Sequence, residues 1–205
     1  MTPDANAPAE LPLFPLQAVL FPGGLLGLKV FEARYVDLIA ACLRTGTGFG
    51  VVMLNSGREA GRRDVSFEAV GTRAELLEVD SAEAGILQVR CAGTTRFRVE
   101  SSRQQPDGLW VASVSAIEDD AVVAPAAAML PTVRALATTI ATLKAQGEAP
   151  FRSPYHFTDA GWVANRWCEI LPLPRAAKQK LMELTDAGVR LQLVDEYLRS
   201  KGLIS

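Results

Sequence analysis

The sequence contains few of the residues that build metal sites and disulfide frameworks. It has three cysteines and one histidine among 205 residues, too few for a zinc ribbon or a zinc finger. No apolar run reaches the roughly 18 residues that a membrane-spanning helix needs. The formal net charge is only −2, so no overall positive field attracts nucleic acid or an anionic membrane. We therefore expect no metal, no cofactor and no membrane contact, and we do not expect nucleic acid as the principal partner.

The start of the chain lacks the features of a signal peptide. Residues 1–10 contain acids, prolines and alanines in place of a basic region followed by an apolar run. This composition predicts a disordered tail. The odd number and wide spacing of Cys42, Cys91 and Cys168 indicate unpaired thiols. Together these observations predict a protein of the reducing cytoplasm.

Sequence motifs for the common catalytic sites are also missing. The chain contains no Gly-Lys-Ser/Thr, which a phosphate-binding P-loop requires. It has no G-x-S-x-G nucleophile elbow. Its single histidine, His156, precedes a predicted helix, where a local hydrogen-bonding role is favoured over that of a catalytic base. We therefore predict no ATPase, no protease dyad or triad, no metal cluster and no catalytic residue.

What the sequence does contain is a change of hydrophobic period near residue 120. Before it, short runs alternate with period two, which is typical of strands with one buried face. Two such runs flank Gly93–Thr95, which we interpret as a hairpin turn. A phase change near Gly71 predicts a bulge or bend. The other predicted strands are Leu25–Val30, Phe49–Leu54, Phe67–Val79 and Trp110–Ile117.

Helical periodicity appears once within this half, at about 32–44, and throughout the second half. The acidic residues Glu118–Asp120 are predicted to form a solvated turn between the two parts. Pro131 and Gly147 bracket the first helix that follows. Asp159 and Asp186 are candidate caps of later helices, and Pro174 can open the one between them. We predict a β-rich module at 11–120 and a helical module at 121–205.

Two groups of arginine residues are compatible with a second function, the binding of RNA. Arg90, Arg96 and Arg98 would share the outward face of the predicted hairpin. A loop after Leu54 holds three more, at Arg58, Arg62 and Arg63. Such clusters can contact phosphate, although acidic residues lie among them and no aromatic platform is interleaved. An RNA-associated module is therefore the alternative to a protein-binding one.

Several blocks of the sequence resemble one family. They are Leu11–Leu16, Val19–Gly23, Val30–Glu32, Phe49–Val52, Val70–Thr72, Arg96–Val99 and Ile170–Leu173. In these blocks, over nearly the whole chain, the sequence resembles the N-terminal substrate-recognition domain of Lon-type ATP-dependent proteases in a standalone form. It departs from that pattern at Gly27 and Ala33, where the resemblance predicts prolines.

The resemblance implies an α+β fold, with a PUA-like pseudo β-barrel that contains one inserted helix and is followed by a C-terminal helical bundle. It also implies a non-catalytic module that binds unfolded or apolar protein segments. Such a module would act either as an adaptor, with a separate protease or ATPase as its partner, or as a free-standing receptor. The resemblance transfers no catalytic residues. Such a receptor needs an apolar surface with a polar border. The candidates are Phe21, Pro22, Leu25, Phe31, Arg34, Tyr35 and Tyr155, each of which could instead belong to the core.

Overall fold

The computed structural model describes residues 9–56, 65–83 and 85–204. The chain divides into two compact units, residues 1–118 and residues 119–205. The first unit contains all of the described strands and one helix, and the second contains helices. The predicted change from strands to helices near residue 120 is therefore confirmed.

The first unit is a partial barrel of six described strands. They are β1 (Ala9–Leu16), β2 (Leu25–Val30), β3 (Phe49–Ser56), β4 (Ser66–Glu83), β5 (Ile86–Gln104) and β6 (Trp110–Ala116). The sheet order is β2-β5-β4-β3-β1-β6, and a further pairing of β5 with β6 closes a ring from which β2 projects. The pairing of β1 with β3 is parallel, and the other pairings are antiparallel. The predicted α+β fold with a PUA-like pseudo-barrel is confirmed.

Strand β1 begins earlier than the sequence predicts. Ala9 and Glu10, which we expected in the disordered tail, pair with Val114 and Ser113 of β6. These backbone hydrogen bonds hold the two residues in the sheet, so that part of the prediction is wrong. Residues 1–8 of the predicted tail lie outside the described part of the chain.

The predicted hairpin turn at Gly93–Thr95 is wrong, because β5 runs without interruption through these residues. The hairpin of β4 and β5 turns near Gly85 instead, which has a φ of 81°. Gly93 is needed for another reason. A Cβ on it would lie 2.3 Å from the carbonyl oxygen of Phe21, so a second segment of backbone approaches β5 here. In the pairing of β4 with β5, the register shifts between Thr72 and Ala74 of β4, close to the bend predicted at Gly71.

Helix α1 (Ala33–Thr45) packs its apolar face against the strands of the first unit. Its apolar residues recur at helical spacing, as predicted, and are buried among residues of β1, β2, β3 and β5. The buried apolar side chains are those of Tyr35, Leu38, Ile39 and Cys42, and Arg34 of the first turn is also buried. The helix ends at Gly46, whose positive φ of 67° lets its N–H return to the carbonyl of Cys42.

The second unit contains four described α-helices after a short 3₁₀ turn at Ala127–Met129. They are α2 (Leu130–Ala145), α3 (Ala160–Ile170), α4 (Arg175–Glu183) and α5 (Ala187–Ser200). Asp159 and Asp186 cap α3 and α5 by accepting backbone hydrogen bonds, as predicted. Within the described residues, no helix is both long and apolar enough to cross a membrane.

Two buried arginines organise this helical unit. Arg190 of α5 donates to the backbone carbonyl of Leu181 at 2.8 Å and to the carboxylate of Asp120. Asp120 is therefore ion-paired and half-buried, and the prediction that the whole acidic turn is solvated is wrong at this residue. Arg166 of α3 forms a two-pronged ion pair with Glu169.

Candidate functional site

A pocket of about 130 Å³ opens in the first unit, between strands that do not pair with each other. Its walls come from β1, from the end of β2 and from the start of α1. The lining residues are Phe14, Leu16, Leu28, Lys29, Val30, Phe31, Glu32 and Tyr35. Apolar cavities of about 150 Å³ can hold one benzene-sized group. The pocket therefore has the size and lining to take one apolar side chain.

Phe31 stands at the edge of this pocket and is 61% exposed. It follows the last residue of β2 and precedes α1, so the chain changes direction here and its side chain does not enter the core. It is the most exposed aromatic side chain in the described residues, because every other large exposed hydrophobic side chain is aliphatic. Its ring is available to a partner.

Stacked aromatic rings support the pocket from within. The rings of Phe14 and Tyr35 lie 3.9 Å apart and are nearly parallel, and Phe49 is 6.0 Å from Phe14. The guanidinium of Arg34 lies 4.7 Å from the centre of the Tyr35 ring. Because these groups are buried and packed against each other, the aromatic wall is formed before any ligand arrives.

Lys29 and Glu32 supply the charged groups of the pocket lining, whereas the predicted border residue Arg34 is buried and is not among the lining residues. Arg34 Nη2 lies 2.8 Å from Glu32 Oε2, and Arg34 Nη1 donates to the carbonyl of Gly108 at 3.2 Å. Lys29, which precedes Phe31 in the sequence, is exposed. An apolar pocket with a rim of both charge signs accommodates apolar side chains without selecting a strongly charged ligand.

The other predicted residues of the first unit lie elsewhere. Phe21 is 1% exposed, so it is a core residue that a partner cannot touch in this conformation. Its turn is fixed because Gly24 N donates to its carbonyl at 2.9 Å and Gly23 N donates to Gly93 O at 2.9 Å. Pro22 is half-buried and is not among the lining residues. The half-buried Leu25 is also absent from the lining.

Tyr155 belongs to the second unit and to a separate aromatic cluster. Its ring lies 5.8 Å from that of Trp162 and 6.0 Å from that of Phe157, and Lys144 Nζ is 4.6 Å from its centre. His156 is exposed and its ring lies 6.2 Å from that of Trp162. Tyr155 is half-buried, so part of it reaches the surface of its own unit.

Sequence reasoning missed Leu28 and Val30, which share one face of β2 and line the pocket. Their spacing of two residues was a usable signal, because alternate side chains of a strand point to the same face. It also missed Phe14 and Leu16, which line the pocket from β1. Nothing local shows that β1 and β2 flank one pocket, because that depends on the pairing of the whole barrel.

The described residues contain no cluster of side chains that could hold a metal ion, and their thiols are not reactive. No group of three or more His, Cys, Asp or Glu side chains is placed to hold a metal ion there. Burial raises the pKa of Cys91 and that of Cys168 to about 12, and it also raises the pKa of Cys42. Thiols with such pKa values are poor nucleophiles at neutral pH.

The predicted arginine face does not form as expected. Arg96 is 2% exposed and donates to the carbonyl of Glu118 at 3.3 Å, so its outward placement is wrong. Arg90 is exposed but lies 3.7 Å from Glu78 on the neighbouring strand. Arg98 is exposed. The loop arginines at 58, 62 and 63 lie outside the described residues.

This chain is similar to known proteins in both sequence and structure. The model of the "ATP-dependent protease La (LON) substrate-binding domain" matches residues 10–200. The Lon protease of Anaeromyxobacter dehalogenans (strain 2CP-C) is 28% identical over 200 residues, which cover 96% of this chain and 24% of that protein. The chain therefore spans about a quarter of the length of this curated relative.

Two solved structures extend the comparison. The Lon N-terminal domain protein from Xanthomonas campestris is 35% identical and aligns with a TM-score of 0.72 over 91% of this chain and 96% of that one. The N-terminal domain of Mycobacterium avium complex Lon protease is 14% identical, and its TM-score of 0.63 over 92% of this chain and 97% of that one shows a shared fold. Because the family model covers nearly all of the described residues, the chain belongs to the family of the substrate-binding domain of ATP-dependent protease La (LON).

Proposed function

We propose that this chain is a non-catalytic receptor that binds exposed apolar segments of unfolded proteins at the pocket beside Phe31. The observation that carries the proposal is the exposed Phe31 ring next to a preformed apolar pocket with an aromatic wall. Unfolded chains expose apolar side chains that folded proteins bury. A pocket that takes one such side chain recognises that exposure with little dependence on the surrounding sequence.

The receptor would act as an adaptor that delivers these segments to a separate ATPase or protease. Support comes from the family, since the curated relative in which the same domain occupies 24% of the chain is named a Lon protease. We also propose that it works in the cytoplasm. The three cysteines are buried thiols, which is consistent with a reducing compartment.

The RNA-associated alternative has less support. A phosphate-binding face needs several accessible cations. Of the three arginines expected on β5, Arg96 is buried and Arg90 lies near Glu78. The pocket beside Phe31 has mixed charge at its rim, not a cationic surface. We therefore do not favour this function.

Binding of reduced, carboxymethylated α-lactalbumin, a permanently unfolded protein, tests the proposal. Phe31→Ser removes the exposed ring, and we expect the dissociation constant to rise about tenfold, as for losing the burial of one aromatic side chain. Leu43→Ser is the matched control, because Leu43 is 58% exposed on α1 and does not line the pocket. The control should bind like the wild type, and fluorescence anisotropy measures both.

Salt separates this function from the alternative. Apolar contacts should leave the affinity almost unchanged between low and moderate salt, whereas phosphate contacts lose affinity steeply. Equal binding by Phe31→Ser and the wild type would refute the proposed site. Tight, strongly salt-dependent binding of single-stranded RNA would favour the alternative.

A further inference from the structure

Strand β2 is an edge strand whose outer side is accessible. In the described residues it pairs with β5 alone, and it stands at the end of the sheet order. Gly27 and Lys29 in its middle are exposed. A Cβ on Gly27 would meet no atom within 4 Å. An edge of this kind presents backbone N–H and C=O groups that can pair with another extended chain.

The register identifies which backbone groups face outward. Gly93 N donates to Gly24 O at 2.8 Å, and the next residues along, Leu25 and Ala92, are partners in the ladder. In an antiparallel pair, hydrogen-bonded and non-hydrogen-bonded positions alternate. The pairing of β2 with β5 has no register shift. The residues whose N–H and C=O point away from β5 are therefore Leu25, Gly27 and Lys29.

The same strand leads into the pocket. Leu28 and Val30 lie on the face of β2 that lines it, and Phe31 follows directly. A chain added along the outer edge of β2 would alternate its side chains between the two faces of the sheet. One of its side chains would then reach the pocket while its backbone pairs with β2.

Resting on the proposed function, we propose that the receptor binds its protein segments in extended conformation, as an additional strand on the outer edge of β2, with one apolar side chain in the pocket. The occupant is a segment of an unfolded polypeptide with apolar residues, because two complementary features coincide here. The edge offers backbone donors and acceptors, which any extended chain can match regardless of sequence. The adjoining pocket adds selection for an apolar side chain.

Gly27 provides a sharp test with a matched control. Gly27→Pro removes the outward N–H, and edge strands accept proline where the N–H does not serve the sheet. Gly27→Ala keeps that N–H and fits in open space. With the carboxymethylated α-lactalbumin probe, we expect Gly27→Ala to bind like the wild type. We expect Gly27→Pro to bind about tenfold more weakly, the effect of a lost backbone hydrogen bond together with the clash of the ring with an incoming strand.

Amide hydrogen exchange followed by NMR gives a second measurement on the unchanged protein. The N–H groups of Gly27 and Lys29 should exchange more slowly when the unfolded probe is added, because they become hydrogen-bonded. This readout applies even if Gly27→Pro fails to fold. If the probe bound only by placing a side chain in the pocket, the exchange rates of both amides would not change, and strand addition would be overturned.

The outcomes distinguish this inference from the proposed function. If Phe31→Ser weakens binding while Gly27→Pro matches Gly27→Ala and the amides stay unprotected, the receptor function stands and strand addition is overturned. If Phe31→Ser has no effect, the proposed function itself fails. A wild-type dimer that Gly27→Pro converts to a monomer, with probe binding unchanged, would assign the edge to a second copy and would also overturn the inference.

Discussion

Arg190 and Asp120 are joined through both terminal nitrogens of the arginine. Nη1 lies 2.5 Å from Oδ2 and Nη2 lies 3.3 Å from Oδ1. Nη1 also donates to Asn165 Oδ1 at 3.2 Å, and Nη2 donates to the carbonyl of Leu184. One side chain of α5 thus links the segment before α2, helix α3 and the chain between α4 and α5.

Removing the acid from this ion pair should destabilise the helical unit. Asp120→Ala leaves the buried guanidinium without its carboxylate, and breaking a buried pair in this way typically costs about 3–5 kcal/mol. We expect a lower free energy of unfolding in urea, followed by tryptophan fluorescence. Asp119→Ala is the control, because Asp119 is exposed and a surface change typically stays within about 0.5 kcal/mol. Equal stability of the two variants would contradict a structural role of the pair.

Gly93→Ala should destabilise the barrel. The added Cβ would lie 2.3 Å from Phe21 O and 3.0 Å from Leu20 Cγ, so backbone must move to admit it. Overpacking of this kind typically costs about 1–3 kcal/mol. Gly27→Ala should change little, because no atom lies within 4 Å of the new Cβ. Thermal unfolding of both variants measures the difference, and a melting temperature for Gly93→Ala equal to that of the wild type would argue against the close approach.

The three thiols should be unreactive in the folded protein. Burial raises the pKa of Cys91 and that of Cys168 to about 12 and raises the pKa of Cys42. At pH 8 almost no thiolate is then present, and the sulfur atoms are also shielded. We expect Ellman's reagent to label no thiol quickly under native conditions and all three in guanidinium chloride. Rapid native labelling of one cysteine would show that its surroundings open.

Glu169 should make stability fall as the pH rises. Burial raises the pKa of its carboxyl from 4.5 to about 7, against the lowering effects of Arg166 and Lys178. The folded state then binds more protons than the unfolded state between these values. The contribution of the Glu169 carboxyl to the free energy of unfolding is complete below about pH 4.5 and is lost as the pH rises through 7.

The slope of stability against pH measures this effect. Glu169→Gln should flatten the profile between pH 4.5 and 7. The absolute stability also changes, because Glu169 pairs with the buried Arg166. An unchanged slope in urea titrations at several pH values would show that the carboxyl is already ionised across this range.

Helix boundaries were predictable because their signals are local. Asp159 and Asp186 cap helices as expected, and Pro131 lies in the first turn of α2, where its missing N–H has no cost. The turn assigned to Gly93 was wrong because the requirement for glycine comes from Phe21, far away in the sequence. A local pattern does not distinguish a glycine that turns the chain from one that admits a neighbouring backbone.

The site was predictable only in part for a related reason. Of the aromatic residues predicted for the site, Phe31 and Tyr35 line the pocket, whereas Phe21 is a core residue. All three are aromatic residues near the ends of strands or helices, so their composition and position are alike. What separates Phe21 from Phe31 is whether the neighbouring turn folds back against another strand, and this depends on barrel closure.

The way the ring closes also affects when the protein can fold during synthesis. Ala9 pairs with Val114, about a hundred residues further along, and β5 pairs with β6 only after β6 has been made. Contacts this distant in sequence form late because the intervening loop must close first. On the ribosome, β1 therefore has no β6 partner until almost all of the first unit has emerged. Until β6 emerges, the edges of β1 and β5 that it pairs with stay open, so the nascent barrel is itself an incompletely folded protein that chaperones can bind.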